Sequence, residues 1–230
     1  MQYQSISKLI DHALLNPSLT SAQLEAGCRA AIDYDVASVC IMPFYLPRCG
    51  EILSGTTVIP STMIGFPHGA HTTAVKAAEA RQAIADGGRE LDMVVNISAV
   101  CSGDWTYVRD DIEPIAKIAH AAGAKVKVIF ENAYLNEEQK IRLCEICGQL
   151  QADWAKTSTG FAASGATDDD VRLMRRHCPP AVQIKASGQI RTLDRVLALQ
   201  ALGVTRIGTS STTAILDEAR IRFFVNSPLI

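Results

Sequence analysis

Short apolar runs alternate along the chain with longer amphipathic stretches. The runs, at residues 8–12, 37–42, 57–65, 90–96, 125–131, 153–158, 182–187 and 204–209, predict eight β-strands. The intervening stretches predict helices at 21–34, 73–86, 110–122, 136–151, 168–177 and 192–201. Thr20-Ser21 and Thr167-Asp168 supply start signals for two of them, and Gly87, Gly123 and Gly203 stand where three of them stop. Strand–helix alternation implies a parallel sheet. Eight such units in 230 residues predict an α/β chain that forms a single-domain (β/α)8 barrel of the TIM type over residues 1–230. The alternative is a doubly wound open sheet. The tail at 223–230 has no assigned element.

Alternation inside the strands carries more information. Leu91, Met93 and Val95 share one face, opposite Glu90, Asp92, Val94 and Asn96. Val126, Val128 and Phe130 oppose Lys125, Lys127, Ile129 and Glu131. Val182, Ile184 and Ala186 oppose Gln183, Lys185 and Ser187. A parallel strand covered by helices on both faces reads almost wholly apolar, and these do not. In a barrel the second face is the interior, whose polar groups are expected to gather at the C-terminal mouth, where sites of this fold lie.

Three ionisable residues near strand ends therefore converge as a candidate centre: Asp92, Lys156 and Lys185. A lysine at its ordinary pKa of about 10.4 is a poor nucleophile at neutral pH. A second cation and desolvation both favour the neutral amine, which can attack a carbonyl to form a Schiff base. A nearby carboxylate can move protons. Lys156 and Lys185 each sit in a small polar frame, "KTSTG" and "KASG". Lys127, also inward, is expected to pair with Glu131 or Asp92. The turns "ASGQIRT" and "GTSSTT" follow the seventh and eighth strands. Their backbone N–H groups, with Ser210, Ser211 and Arg191, suit a phosphate, as the corresponding loops of barrels often do.

Composition narrows the partners. Apolar residues make up 48% and charged residues 20%, with a net charge of −2 and no basic block, which excludes nucleic-acid binding by a phosphate-tracking patch. No apolar run is long enough to span a membrane, and the start lacks a signal peptide's apolar region. Seven scattered cysteines indicate reduced thiols and a cytoplasmic protein. Cys144 and Cys147, a C-x-x-C without a second pair, read as half-buried helix thiols rather than a metal site. His68 and His71 lack a third ligand, and Cys40 is assigned to packing. No nucleotide-cofactor motif follows a strand.

With these residues in view, the chain resembles the deoxyribose-phosphate aldolase family. The matching stretches are "IDHALL", "VCIMP", "IGFPHG", "ELDMVVN", "KVIFE", "AKTSTGF", "IKASGQIRT" and "RIGTSS", in family order from Ile10 to Ser211. The resemblance implies a (β/α)8 barrel that works without metal or organic cofactor on a small aldehyde and a sugar phosphate. In it, Lys156 forms the Schiff base, Lys185 keeps Lys156 neutral and Asp92 relays protons. It puts Asp11, Lys127 and Thr157 in a supporting polar network, and Gly188, Arg191, Gly208, Ser210 and Ser211 around the phosphate. A homo-oligomer is compatible with the sequence. Departures fall at Gln189 and Thr212, where the family commonly has glycine, at Ala13, which replaces a hydroxyl residue, and in "ENAY" at 131–134. All bear on the far end of the substrate. Two rivals stand beside this reading: a lysine-dependent aldolase for an unphosphorylated substrate, and a non-catalytic sugar-phosphate-binding barrel.

Overall fold

A parallel strand whose two faces differ in chemistry needs two different neighbours, and closing the sheet into a tube provides them. The computed structural model describes residues 3–224. Eight parallel strands pair in sequence order and the last closes on the first: β1 (Ile10–Leu14), β2 (Ser38–Ile41), β3 (Ile59–Ile64), β4 (Glu90–Val94), β5 (Lys125–Ile129), β6 (Trp154–Lys156), β7 (Gln183–Ser187) and β8 (Val204–Thr209). The predicted barrel is therefore the fold, and the open sheet is excluded. Ten helices accompany these strands among the described residues: α1 (Tyr3–Ser7), α2 (Ser21–Asp33), α3 (Leu46–Leu53), α4 (Thr73–Ala85), α5 (Ile97–Cys101), α6 (Trp105–Ala121), α7 (Glu137–Gln149), α8 (Asp168–His177), α9 (Leu193–Ala201) and α10 (Thr212–Phe224).

The two faces separate as the alternation predicts. Leu91, Met93, Val126, Val128, Ile184 and Ala186 all belong to the large core between strands and helices. Val94 and Ile129 belong instead to a small inner cluster with Cys40 and Met63. Caps hold the helices in place. Thr20 and Asn136 form capping boxes with Gln23 and Gln139, and Thr167 accepts from the Asp170 amide.

Several boundaries differ from expectation. The first strand lies two residues later than 8–12, because α1 precedes it and Lys8 is committed to the rim. There its ammonium binds Asp35 and the Val36 carbonyl. α3 has no counterpart among the predicted helices; Pro47 occupies its first turn, where no amide partner is needed. α6 starts at Trp105 rather than 110, since Asp104 accepts from the Tyr107 amide. Of the tail at 223–230, Phe223 and Phe224 end α10; the rest lies outside the described residues.

The loop after β3, "GFPHG", is fixed from both sides. A Cβ on Gly69 would lie 1.8 Å from the Val95 carbonyl oxygen, so no larger residue fits. Beneath Gly65 runs Lys76, a fully buried lysine of α4. Its ammonium binds Asp111 at 2.5 Å and the Val94 carbonyl at 2.9 Å, joining α4, α6 and the top of β4. Lys76 shares the buried stripe of α4 with Ala80 and Ala83.

A buried ion pair that loses one member leaves an uncompensated charge. Lys76→Met keeps the stem and strands Asp111. It is expected to lower the unfolding free energy by about 3–5 kcal/mol, measured by denaturant titration, with a large part recovered by adding Asp111→Leu. Wild-type stability in the single variant would sink this account.

Candidate active site

Inside the barrel the inward positions of six strands carry seven ionisable side chains. These are Asp11 on β1, Glu90 and Asp92 on β4, Lys127 on β5, Lys156 on β6, Lys185 on β7 and Arg206 on β8. All seven are buried. Their register brings them together: Asp92 lies beside Lys127, Lys156 beside Lys185, and Lys185 beside Arg206. At the floor, Arg206 grips Glu90 with both nitrogens, at 2.7 and 3.1 Å, and reaches Asp11 at 2.6 Å. Lys127 binds Glu90 at 2.5 Å and Asp92 Oδ1 at 2.8 Å, and lies 3.6 Å from Asp11. The Trp154 ring closes this end, with Arg206 and Lys127 at 4.7 and 5.6 Å from its centroid.

Above this layer, one oxygen takes two lysines. Asp92 Oδ2 accepts from Lys156 Nζ at 2.8 Å and from Lys185 Nζ at 2.7 Å. Lys185 also binds Asp11 at 2.5 Å, and Ser38 donates to the other Asp11 oxygen at 2.6 Å. Among the described residues, Lys127, Lys185 and Arg206 thus each meet two or more carboxylates, while Lys156 meets one.

Charge balance follows from this count. Four bases face three carboxylates, all buried, and an uncompensated buried charge is costly. Burial, against the opposing attraction of Asp92 and with help from the Lys185 ammonium, brings the Lys156 pKa below its usual range. Lys185 goes the other way: Asp11 and Asp92 outweigh its burial and raise its pKa. Asp92, although fully buried, is held well below the usual carboxylate range by Lys127, Lys156 and Lys185. Lys156, which opens towards the mouth, is therefore the lysine whose charged form is least favoured.

Lys156 opens into a cavity of about 530 Å³ at the C-terminal ends of the strands. Its inner wall includes Cys40 and Met63, part of the apolar cluster with Val94 and Ile129. Gly188 and Arg191 of the loop after β7, and Gly208, Ser210 and Ser211 after β8, border the same cavity, as do Asp11 and Lys185. A Cβ on Gly208 would lie 3.0 Å from the Ser187 Cβ and 3.3 Å from Lys185 Cε, so the bare backbone makes room for the lysine. Ser210 and Ser211 immediately precede α10, whose first-turn amides face an anion placed there. His12 Nδ1 lies 2.7 Å from Thr212 Oγ1 in this first turn, and burial lowers the histidine's pKa to about 4.

The structure thus brings Asp11, Asp92, Lys127, Lys156 and Lys185 into one network and sets the five loop residues around the adjoining cavity. It corrects other expectations. The polar groups do not gather only at the mouth; they extend to the floor through Glu90 and Arg206, which sequence reasoning left out. The signal was available, because Glu90 alternates with Asp92 and Arg206 with Gly208. Lys127 pairs with Asp92 but not with Glu131. The Glu131 carboxylate instead accepts from the Thr159 amide and hydroxyl. Thr157 lies outside the ion network, with its hydroxyl bridging to Ser187. Cys40 is inside the barrel, its thiol pushed up by burial. Cys144 and Cys147 are fully buried free thiols rather than half-buried ones, and His68 and His71 are exposed. No described helix is long and apolar enough to cross a membrane.

If Lys185 depresses the Lys156 pKa, its removal must raise it and leave less free amine at neutral pH. In Lys185→Met the rate of reductive methylation at Lys156, followed by peptide mass spectrometry, is expected to climb at higher pH than in the wild type. An unshifted or downward-shifted profile contradicts the electrostatic account.

Comparison with known proteins gives one consistent result. Residues 6–209 match the model of the DeoC/LacD family aldolases. A deoxyribose-phosphate aldolase from Rhodopirellula baltica is 58% identical over 219 residues, covering 95% of this chain and 91% of that protein. One from Thermococcus gammatolerans is 48% identical over 94% of this chain and 96% of its own length. A tetrameric deoxyribose phosphate aldolase structure from Aeropyrum pernix superposes with a TM-score of 0.88 at 28% identity, covering 97% of this chain and 93% of that one.

Proposed function

The chain belongs to the DeoC/LacD family of aldolases, and from that premise we propose that it cleaves 2-deoxy-D-ribose 5-phosphate reversibly to acetaldehyde and D-glyceraldehyde 3-phosphate through a Schiff base on Lys156. The carrying observation is the shared Asp92 oxygen, which binds Lys156 at 2.8 Å and Lys185 at 2.7 Å in a buried, charge-balanced network.

In this reading the neutral Lys156 amine attacks the aldehyde carbon C1 of the open-chain sugar. Loss of water leaves an iminium, so the network gains the positive charge that Lys156 had given up, opposite Asp92. Withdrawal of electrons by the iminium weakens the C2–C3 bond. A proton leaves the C3 hydroxyl, the bond breaks, glyceraldehyde 3-phosphate departs and an enamine remains on Lys156. Protonation at C2 and hydrolysis release acetaldehyde and restore the amine. Asp92 serves as proton relay. Its proton affinity is greatest while Lys156 is neutral, when only two of its three cationic partners carry charge. Lys185 remains an ammonium and Asp11 fixes it.

The phosphate is assigned to the cradle of Gly188, Arg191, Gly208, Ser210 and Ser211. Two departures from the family pattern bear on this, and both support an open cradle. The Gln189 side chain is tied to the Ala163 carbonyl, and Thr212 is buried against His12. The chain's free thiols fit a reducing cytoplasm.

Two measurements test the reading. Acetaldehyde with borohydride is expected to leave a reduced ethyl adduct on Lys156 in the peptide map; an adduct elsewhere overturns the role assignment, and none in folded protein favours a binding barrel. Cleavage of deoxyribose 5-phosphate is expected to exceed that of deoxyribose by at least about 100-fold in kcat/KM, the value of a charge-assisted phosphate site of about 2.7 kcal/mol. Equal efficiency removes the phosphate assignment and favours an unphosphorylated substrate.

A further inference from the structure

Gln189 stands in a conformation that suits glycine. Its φ is 61°, directly after Gly188 at 87°, in the left-handed region that a Cβ disfavours. An off-pattern backbone at the edge of a cavity points to a task for the side chain. The contact is specific: Gln189 Nε2 donates to the Ala163 carbonyl at 3.0 Å. Ala163 belongs to the irregular segment between β6 and α8, which also supplies Thr159, Gly160 and Phe161 to the cavity wall.

Both ends of that segment are anchored without Gln189. At the start, Thr159 is bound by Glu131, and Ser187 donates to the Ser158 carbonyl at 2.6 Å. At the end, the Ala166 amide donates to the Ser187 carbonyl, and Gly165 lies so close that a Cβ there would be 2.1 Å from the Gly188 oxygen. Between these anchors, residues 160–164 are exposed or half-buried. Among the described residues, Gln189 makes the only hydrogen bond from outside the segment to them. Phe161 adds an edge-on contact with Phe66, ring centroids 5.1 Å apart, and remains largely exposed.

We propose that Gln189 is a positioning residue and a determinant of substrate affinity: its side-chain amide latches the β6–α8 loop to the loop after β7, and so sets the cavity wall beside the phosphate cradle. The latch acts on the phosphate-bearing half of the substrate. The amine chemistry at Lys156, held by strand residues deeper in the barrel, does not depend on it. The structural part stands on the contacts alone, while the effect on affinity rests on the aldolase reading above.

Gln189→Gly and Gln189→Met both delete the donor, the first with relief of the backbone and the second with side-chain bulk retained. Hydrogen exchange, followed by mass spectrometry on the free enzyme, is expected to quicken several-fold in peptides covering 160–164 in both variants. KM for deoxyribose 5-phosphate is expected to rise about three- to tenfold, the size of one lost hydrogen bond. kcat and borohydride trapping of acetaldehyde on Lys156 stay within about twofold of wild type. Gln189→Gly is expected to resist denaturant at least as well as the wild type, which separates loss of the latch from loss of fold. Unchanged exchange in both variants overturns the latch. Faster exchange with unchanged KM overturns its link to affinity. A wild-type enzyme that cleaves no deoxyribose 5-phosphate overturns the substrate assignment and the affinity claim together, while the exchange comparison still decides the latch.

Discussion

Three carboxylates and four bases share the inside of this barrel, and the site depends on that inequality. In water the surplus charge would be screened at little cost. In a closed tube floored by Trp154 and covered outside by helices it is screened less, which disfavours the charged form of one base. Geometry selects which. Lys127, Lys185 and Arg206 each meet at least two carboxylates, whereas Lys156 shares a single oxygen with Lys185. The lowered pKa of Lys156 thus belongs to the network as a whole, in which Glu90 and Arg206 at the floor engage Lys127 and Asp11.

The network also explains the division of the interior into two kinds of wall. Cys40, Met63, Val94 and Ile129 make an apolar arc, with Ile129 beside Lys156 in register, suited to the two-carbon fragment of the proposed reaction. On the other side the loops after β7 and β8, and the start of α10, present glycines and hydroxyls, suited to an anion. The proposed substrate, with an aldehyde at one end and a phosphate at the other, fits this gradient. The deep carbonyl end meets rigid strand residues, and the phosphate end meets loops whose positions rest on a few hydrogen bonds. Precision of the chemistry and adjustability of the substrate range are thereby held by different parts of the fold.

Support from outside the barrel is similarly concentrated. Lys76, paired with Asp111, holds the top of β4, the strand that carries Asp92, by donating to the Val94 carbonyl two residues beyond it. His12, on the outward face of β1 next to Asp11, reaches the first turn of α10. In each case a polar residue beside or behind a site residue fixes the backbone from which that residue projects.

The sequence by itself determined the eight-strand alternation and the two-faced character of the strands. Through residues such as Asp92, Lys127 and Lys185 it also determined that charge lies inside. These properties are legible because side-chain direction in a strand follows a period of two whatever the tertiary context. Strand ends and short helices were less legible. α3 has a proline in its first turn, α10 carries hydroxyls and charges, and the first strand's start depends on where Lys8 finds its partners. Only the tertiary structure decided which lysine has its pKa lowered, that Glu90 and Arg206 belong to the same network, that Lys127 answers Asp92 instead of Glu131, and that Gln189 turns to Ala163. Each of these depends on distances between residues far apart in the chain, from 26 residues for Gln189 and Ala163 to 195 for Arg206 and Asp11. Barrel closure sets such distances, and no local pattern encodes them.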